Sequence, residues 1–299
     1  MKFLYLLMII VLFGIIGAGD AQAQKKIKKI RKKTMIKKVE TPEKVTAKDE
    51  FKVLLQDDQS GMEEPFVFVA RNSEQYAELQ NVAQNIPADS IDFTQNAVIA
   101  VFAGQKPTAG FGINFEKTTA SITDQITISI KVNLISPPKG AMLAQVLTAP
   151  AKIVLIPLAE DNGLSLILDS NWRRKMQTFR VSQSTFEASG GLTGKSRKFK
   201  LAGSIDILQA GNLVTAFFNI GTGAKQIQGI FDTATGRIEN DSIVLPRIDA
   251  GNLIENPHPP LKAIGKFSEK EFSLTFESLP TNVADGFSGQ GNLIAVKTK

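Results

Sequence analysis

Cysteine is missing from the sequence, which excludes disulfides, thiolate metal sites, cysteine nucleophiles and a lipid-modified N-terminal cysteine. The 299 residues include one histidine and one tryptophan. The histidine, His258, lies in Asn256-Pro257-His258-Pro259-Pro260, where three prolines favour an exposed extended loop rather than a catalytic triad. Zinc sites usually draw on several histidines or cysteines, and the sequence has no Gly-x-Ser-x-Gly nucleophile motif. We therefore expect no catalytic residue, metal site or cofactor, and no enzyme activity.

The N-terminus has the pattern of a secretory signal peptide. Lys2 precedes an apolar run over residues 3–18, and the small-residue pattern Ala21-Gln22-Ala23 follows. Because the run is short for a membrane span, residues 1–23 predict a cleaved signal peptide and a periplasmic or secreted protein. An uncleaved anchor is the alternative, since the basic residues that follow would normally stay on the cytoplasmic side.

A polybasic leader follows at residues 24–46. The formal net charge of the chain is +6, and nine lysines and arginines lie between Lys25 and Lys38, so the remainder is net negative. Such a segment predicts contact with an anionic surface, although a solvated tether explains it equally well. Nucleic acid is not an expected partner, because no aromatic residues interleave with these cations.

The composition, 43% hydrophobic and 21% charged, is that of a globular protein of about two domains. Residues 47–160 predict a small α+β domain with a mostly antiparallel sheet. The apolar run Ala97–Ala103 predicts a strand covered on both faces, and strict alternation over Ile126–Leu134 predicts a strand with one wet face. Ser73 is the expected N-cap of one helix, and Ala151–Pro157 the closing strand.

Residues 161–177 are expected to link this domain to a second one at 178–299, although Leu164–Leu168 could instead open the second domain as a strand. Short alternating runs separated by turn residues predict an all-β antiparallel sandwich or partly closed barrel there. The fold class is thus mainly β. The phenylalanines of this region give an alternative function, carriage of a small apolar ligand inside a barrel; they are Phe217, Phe218, Phe231, Phe267, Phe272 and Phe276.

The segment Asp92–Phe111 resembles the C-terminal domain of PrcB, a protease complex subunit. The similarity extends over about residues 51–160 and includes Pro137 and the run Val146–Pro150. Ala109 and Phe111 depart from the family pattern, where glycine and tyrosine stand. The turn also resembles the Pro-Thr-Thr-Gly-Tyr loop of chagasin-type protease inhibitors. The second domain resembles no family that we recognise.

The resemblance implies an exported accessory module that binds a protease or another envelope protein and has no catalytic role. The expected binding site is the turn formed by Lys106, Pro107, Thr108, Gly110 and Phe111. Pro107 stiffens this turn, Gly110 permits tight curvature, and Phe111 presents a ring, although Phe111 could equally begin a buried strand.

Overall fold

The computed structural model describes residues 51–83, 85–88, 90–122, 125–159, 162–173, 175–189, 196–222, 231–250, 260–279 and 288–298. The predicted signal peptide, the leader with Lys25–Lys38, and His258 lie outside these residues. Asp49–Lys299 form one compact unit. No helix of the described part is long and apolar enough to span a bilayer.

Four strands near the start of the described chain form an antiparallel sheet. They are β1 (Lys52–Asp57), β2 (Phe66–Ala70), β3 (Asn96–Phe102) and β6 (Ala151–Pro157), in the order β1-β6-β3-β2. All residues of β3 from Ala97 to Phe102 are buried, which confirms the strand expected from the unbroken apolar run. β6 confirms the expected closing strand.

Helix α1 (Ser73–Val82) follows β2 and buries Tyr76 and Leu79. Its N-cap is Asn72, whose side-chain oxygen accepts a hydrogen bond of 2.8 Å from the Gln75 backbone N–H. The expectation that Ser73 caps the helix was therefore wrong by one residue. Both residue types are good caps, so the sequence pattern could not separate two adjacent candidates.

A second, three-stranded sheet contains β4 (Gly112–Ile122), β5 (Gln125–Ile135) and β7 (Gly163–Leu168). Ile128, Ile130 and Val132 of β5 are buried, as its alternation predicts. β7 lies inside the segment predicted to be a linker, where it pairs in parallel with β5. Helix α2 (Ser170–Arg173) follows it. The division into two domains stays a prediction.

The remaining strands form one sheet in which eight strands close into a barrel, as β8 pairs with β16 on one side and with β10 on the other; β9 pairs with β8. The strands are β8 (Gln177–Ser189), β9 (Arg197–Phe199), β10 (Leu201–Ala210), β11 (Leu213–Thr222), β12 (Phe231–Glu239), β13 (Ser242–Ala250), β14 (Leu261–Phe267), β15 (Glu271–Ser278) and β16 (Ser288–Lys297). All pairings within this sheet are antiparallel. The mainly β class is confirmed, and the second part is a barrel rather than a sandwich.

Most of the phenylalanines considered for ligand carriage belong to the hydrophobic core of the barrel. Phe218, Phe272 and Phe276 are buried there, and Phe267 packs against them. The ring centroids of Phe267 and Phe272 are 6.0 Å apart. Phe217 faces the opposite way and packs against the core of the two smaller sheets. The side chain of Phe231 lies outside the described part of the structure.

The outer wall of the barrel packs against the smaller sheets. Leu208 and Leu213 of the barrel are buried in the same core as β2 and β3. The hydroxyl groups of Thr215 and Thr235 donate hydrogen bonds of 2.5 and 2.6 Å to the carbonyls of Val67 and Val69 on β2. β2 is an edge strand whose carbonyls would otherwise be unpaired, so the barrel satisfies this edge with side chains.

Side chains of the barrel also accept hydrogen bonds from backbone N–H groups of β7, which is an edge strand of its sheet. The Leu166 N–H donates to the Thr233 hydroxyl at 3.1 Å, and the Leu164 N–H donates to the Asp249 carboxylate at 3.1 Å. The same carboxylate forms ion pairs with Arg71 at 2.5 Å and with Arg247 at 2.8 Å. Burial lowers the pKa of Arg71, and the charge of Asp249 opposes that shift.

Candidate functional site

The turn predicted to bind a partner connects β3 to β4. The structure brings Lys106, Pro107, Thr108, Gly110 and Phe111 together there; Pro107 and Gly110 are exposed, and the other three are half-buried. Gly110 has a φ of +87°, a left-handed conformation that favours glycine. A Cβ at this position would also lie 3.2 Å from the side chains of Leu143 and Pro137. Glycine therefore lets the turn approach the loop that joins β5 to β6.

Backbone hydrogen bonds hold the turn against that loop. The Lys106 N–H donates to the Thr148 carbonyl at 2.7 Å, and the Thr148 N–H donates back at 3.0 Å. Further out, the Ala109 N–H donates to the Ala144 carbonyl at 3.2 Å. The Thr148 hydroxyl adds a bond of 3.1 Å to the Thr108 carbonyl. The two loops thus form one unit, and we call residues 103–111 and 135–148 the paired-loop surface.

A third segment fixes the base of the paired-loop surface. The Ala149 N–H donates to the Asp58 carbonyl at 2.8 Å, and the Ser60 N–H and hydroxyl both donate to the Ala149 carbonyl. On the other side, the Gln105 N–H donates to the Glu63 carbonyl at 2.8 Å. Because hydrogen bonds hold this base on both sides, a partner would meet a largely preformed surface.

The side chain of Lys106 packs within the turn. Its Nζ donates a hydrogen bond of 2.6 Å to the Ala103 carbonyl and lies 6.0 Å from the centre of the Phe111 ring. Burial lowers the pKa of Lys106; nearby Lys175 lowers it further, and Glu64 opposes the shift. The cation thus lies within cation–π distance of the Phe111 ring, and its side chain is half-buried.

Sequence reasoning missed the exposed apolar side chains of the β5–β6 loop. Met142 is fully exposed, and the exposed fraction is 61% for Leu147 and 51% for both Val146 and Ile135. The sequence drew attention to Val146 and Leu147 as part of a family resemblance, but not as surface residues. The proline- and glycine-containing stretch Ser136–Gly140 was the available signal, because it predicts a surface loop around these apolar residues.

The paired-loop surface has a mixed apolar and basic composition. It combines apolar side chains with two lysines, Lys106 and Lys139, and contains no aspartate or glutamate. Within the described residues, no group of three or more histidine or acidic side chains is placed to hold a metal ion. The arrangement can bury apolar area against a partner and attract negative charge. Whether the five predicted turn residues contact a partner stays a prediction.

Residues 97–157 match the model of the PrcB C-terminal family. The match contains both loops of the paired-loop surface and confirms the resemblance expected for this segment. No curated protein matches the chain in sequence. Among solved structures, a double mutant of the vaccine antigen transferrin binding protein B from Haemophilus parasuis Hp5 is similar at 8% identity and a TM-score of 0.30. The alignment covers 81% of this chain and 38% of that protein, and similarity at this level carries no functional argument.

Proposed function

We propose that this chain is an exported accessory protein that binds another protein of the bacterial envelope through the paired-loop surface. The PrcB C-terminal match at residues 97–157 supports an accessory role, and it makes a protease the first partner to test. The proposal includes no catalytic role for the chain. The N-terminal signal-peptide pattern supports export.

One observation carries this proposal: the predicted turn lies beside the most exposed apolar side chains of the described structure. Met142 and Leu147 are more exposed than any other large apolar residue described. A fixed loop pair that displays such residues resembles the surface of a binding site more than an ordinary solvated loop. The leader at Lys25–Lys38 would add attraction to an anionic surface, which we propose as tethering.

Site-specific photocrosslinking tests the proposal. A photoreactive amino acid replaces Leu147 in the full chain, produced in the host bacterium, and crosslinked products are identified by mass spectrometry. The control places the same amino acid at Ile264 of β14, whose exposed fraction is 53%. We expect a discrete crosslinked protein from position 147 and not from position 264. Identical products from both positions, or none from position 147, would contradict the proposal.

The same preparation tests export. N-terminal sequencing of chain recovered from the envelope fraction is expected to begin at Gln24, because cleavage follows the Ala21-Gln22-Ala23 pattern. A chain that still begins at Met1 would support the uncleaved anchor instead.

A further inference from the structure

Exposed apolar side chains are concentrated in one short stretch of the described chain. Four of its eight exposed large apolar residues lie between positions 135 and 147; the other four are Val53, Ile167, Ile264 and Val296. Scattered single residues of this kind are normal on protein surfaces, whereas several on one loop make that loop a candidate interaction site. Phe111 is half-buried and precedes Gly112, which pairs with Ile135 at the end of β5.

The charged side chains on the two loops themselves have one sign, whereas the exposed carboxylates Asp58, Glu63 and Glu64 lie on the segment at their base. Lys106 and Lys139 are the charged residues of the paired-loop surface. Glu64 is a carboxylate whose charge acts on Lys106, and it also forms an ion pair with Lys175 at 3.3 Å. A partner that contacts the loops therefore meets apolar side chains and two cations, and it meets carboxylates only at the base; this favours negative charge on the part of the partner that faces the loops.

From these observations we infer that the paired-loop surface recognises a peptide segment in which apolar side chains stand next to carboxylates. This inference rests on the proposed function, because it specifies the chemistry of the protein partner. Met142, Val146 and Leu147 contact the apolar side chains of the segment, while Lys106 and Lys139 contact its carboxylates.

A protein segment fits this surface better than a lipid membrane. Among the described residues of the 136–147 loop, only the Ala141 N–H donates a hydrogen bond to a backbone carbonyl. Inserting this loop into hydrocarbon would leave many peptide groups without partners, at a cost of several kcal/mol each. Two lysines would return only about 1 kcal/mol each at an anionic membrane surface. A peptide segment, in contrast, offers its own donors and acceptors to the loop.

Selection from a random-peptide phage library tests the inference directly. The bait is the compact unit Asp49–Lys299, and a second selection uses Met142→Ser/Leu147→Ser in the same unit. Without the basic segment Lys25–Lys38, acidic peptides cannot be enriched through the leader. We expect the enriched peptides to combine leucine, isoleucine, phenylalanine or methionine with aspartate or glutamate. The double variant should bind them about tenfold more weakly or worse, because it removes apolar area from the contact. Lys139→Glu should also weaken binding, and added salt should reduce its effect.

The matched control is Ile264→Ser/Val296→Ser, which removes two exposed apolar side chains from the barrel. It should leave peptide binding unchanged. Enriched peptides that are basic or lack apolar residues would overturn the inference, and so would full binding by the Met142→Ser/Leu147→Ser variant.

Co-sedimentation with phosphatidylglycerol and phosphatidylethanolamine vesicles tests membrane binding separately. If the chain binds vesicles through Met142 and Leu147 and enriches no peptide, the occupant is a membrane and the inference is wrong.

The two proposals fail in different ways. A discrete crosslink at position 147 together with basic enriched peptides would keep the protein-binding function and refute its chemistry. Loss of both the crosslink and the peptide binding would refute the proposed function itself.

Discussion

At the scale of single residues, Gly265 has the least room for a side chain among the barrel glycines that the structure describes. Gly265 of β14 lies so close to β15 that a Cβ there would be 1.6 Å from the Ser273 carbonyl oxygen. The obstacle is backbone rather than a rotatable side chain, so any residue other than glycine must push the two strands apart. Sequence alternation does not show which backbone atom comes close, although a glycine inside a strand often marks such an approach.

Gly265→Ala should destabilise the protein. The added methyl group forces a backbone shift, and overpacking of this kind costs about 1–3 kcal/mol in the free energy of unfolding. Gly112→Ala in β4 is the matched control, because its Cβ would meet nothing closer than the Ile135 Cβ at 4.0 Å. Urea unfolding of both variants gives the comparison. Equal losses at the two positions would show that strand glycines are needed for a reason other than this close approach.

At the scale of elements, the edge of β2 depends on hydroxyl groups that come from the barrel. Thr235 is 7% exposed, and its hydroxyl is the partner of the Val69 carbonyl. Thr235→Val keeps the shape of the side chain but leaves that buried carbonyl unpaired, so we expect a loss of about 1–3 kcal/mol in the free energy of unfolding.

Thr275→Val on the exposed face of β15 is the control and should change stability little. Chemical denaturation measures both losses, and hydrogen exchange should show faster exchange of β2 amides in Thr235→Val alone. If the two substitutions have the same effect, the hydroxyl of Thr235 does not stabilise the edge.

The same elements show what sequence reasoning could and could not predict. Local patterns predicted β3 and β5, since an apolar run and a strict alternation are visible within a few residues. The turn at 106–111 was predicted from proline and glycine chemistry. The role of Thr235 was not, because its partner is 166 residues away. β7 was missed as a partner of β5 for the same reason, as parallel pairing leaves no local signature.

At the scale of the whole molecule, Asp249 joins the barrel to the smaller sheets. It accepts from the Leu164 N–H and pairs with both Arg71 and Arg247, and the side chains of Arg71 and Asp249 are only 17% and 13% exposed. The shared hydrophobic core around Leu208 and Leu213 connects the same two parts. Polar and apolar contacts thus couple the barrel to the sheet that carries the paired loops.

We therefore expect residues 49–299 to unfold in a single cooperative transition, with calorimetric and van't Hoff enthalpies in agreement.

Asp249→Ala leaves two arginines without their counter-charge and the Leu164 N–H without an acceptor, at a cost of about 3–5 kcal/mol in the free energy of unfolding. Because this loss falls on the contact between the two parts, it should split the calorimetric transition in two. Glu277→Gln removes the exposed pair with Lys262 and should cost less than about 1 kcal/mol without splitting the transition. Two transitions in the unsubstituted protein would contradict the coupling, since the barrel and the smaller sheets would then unfold independently.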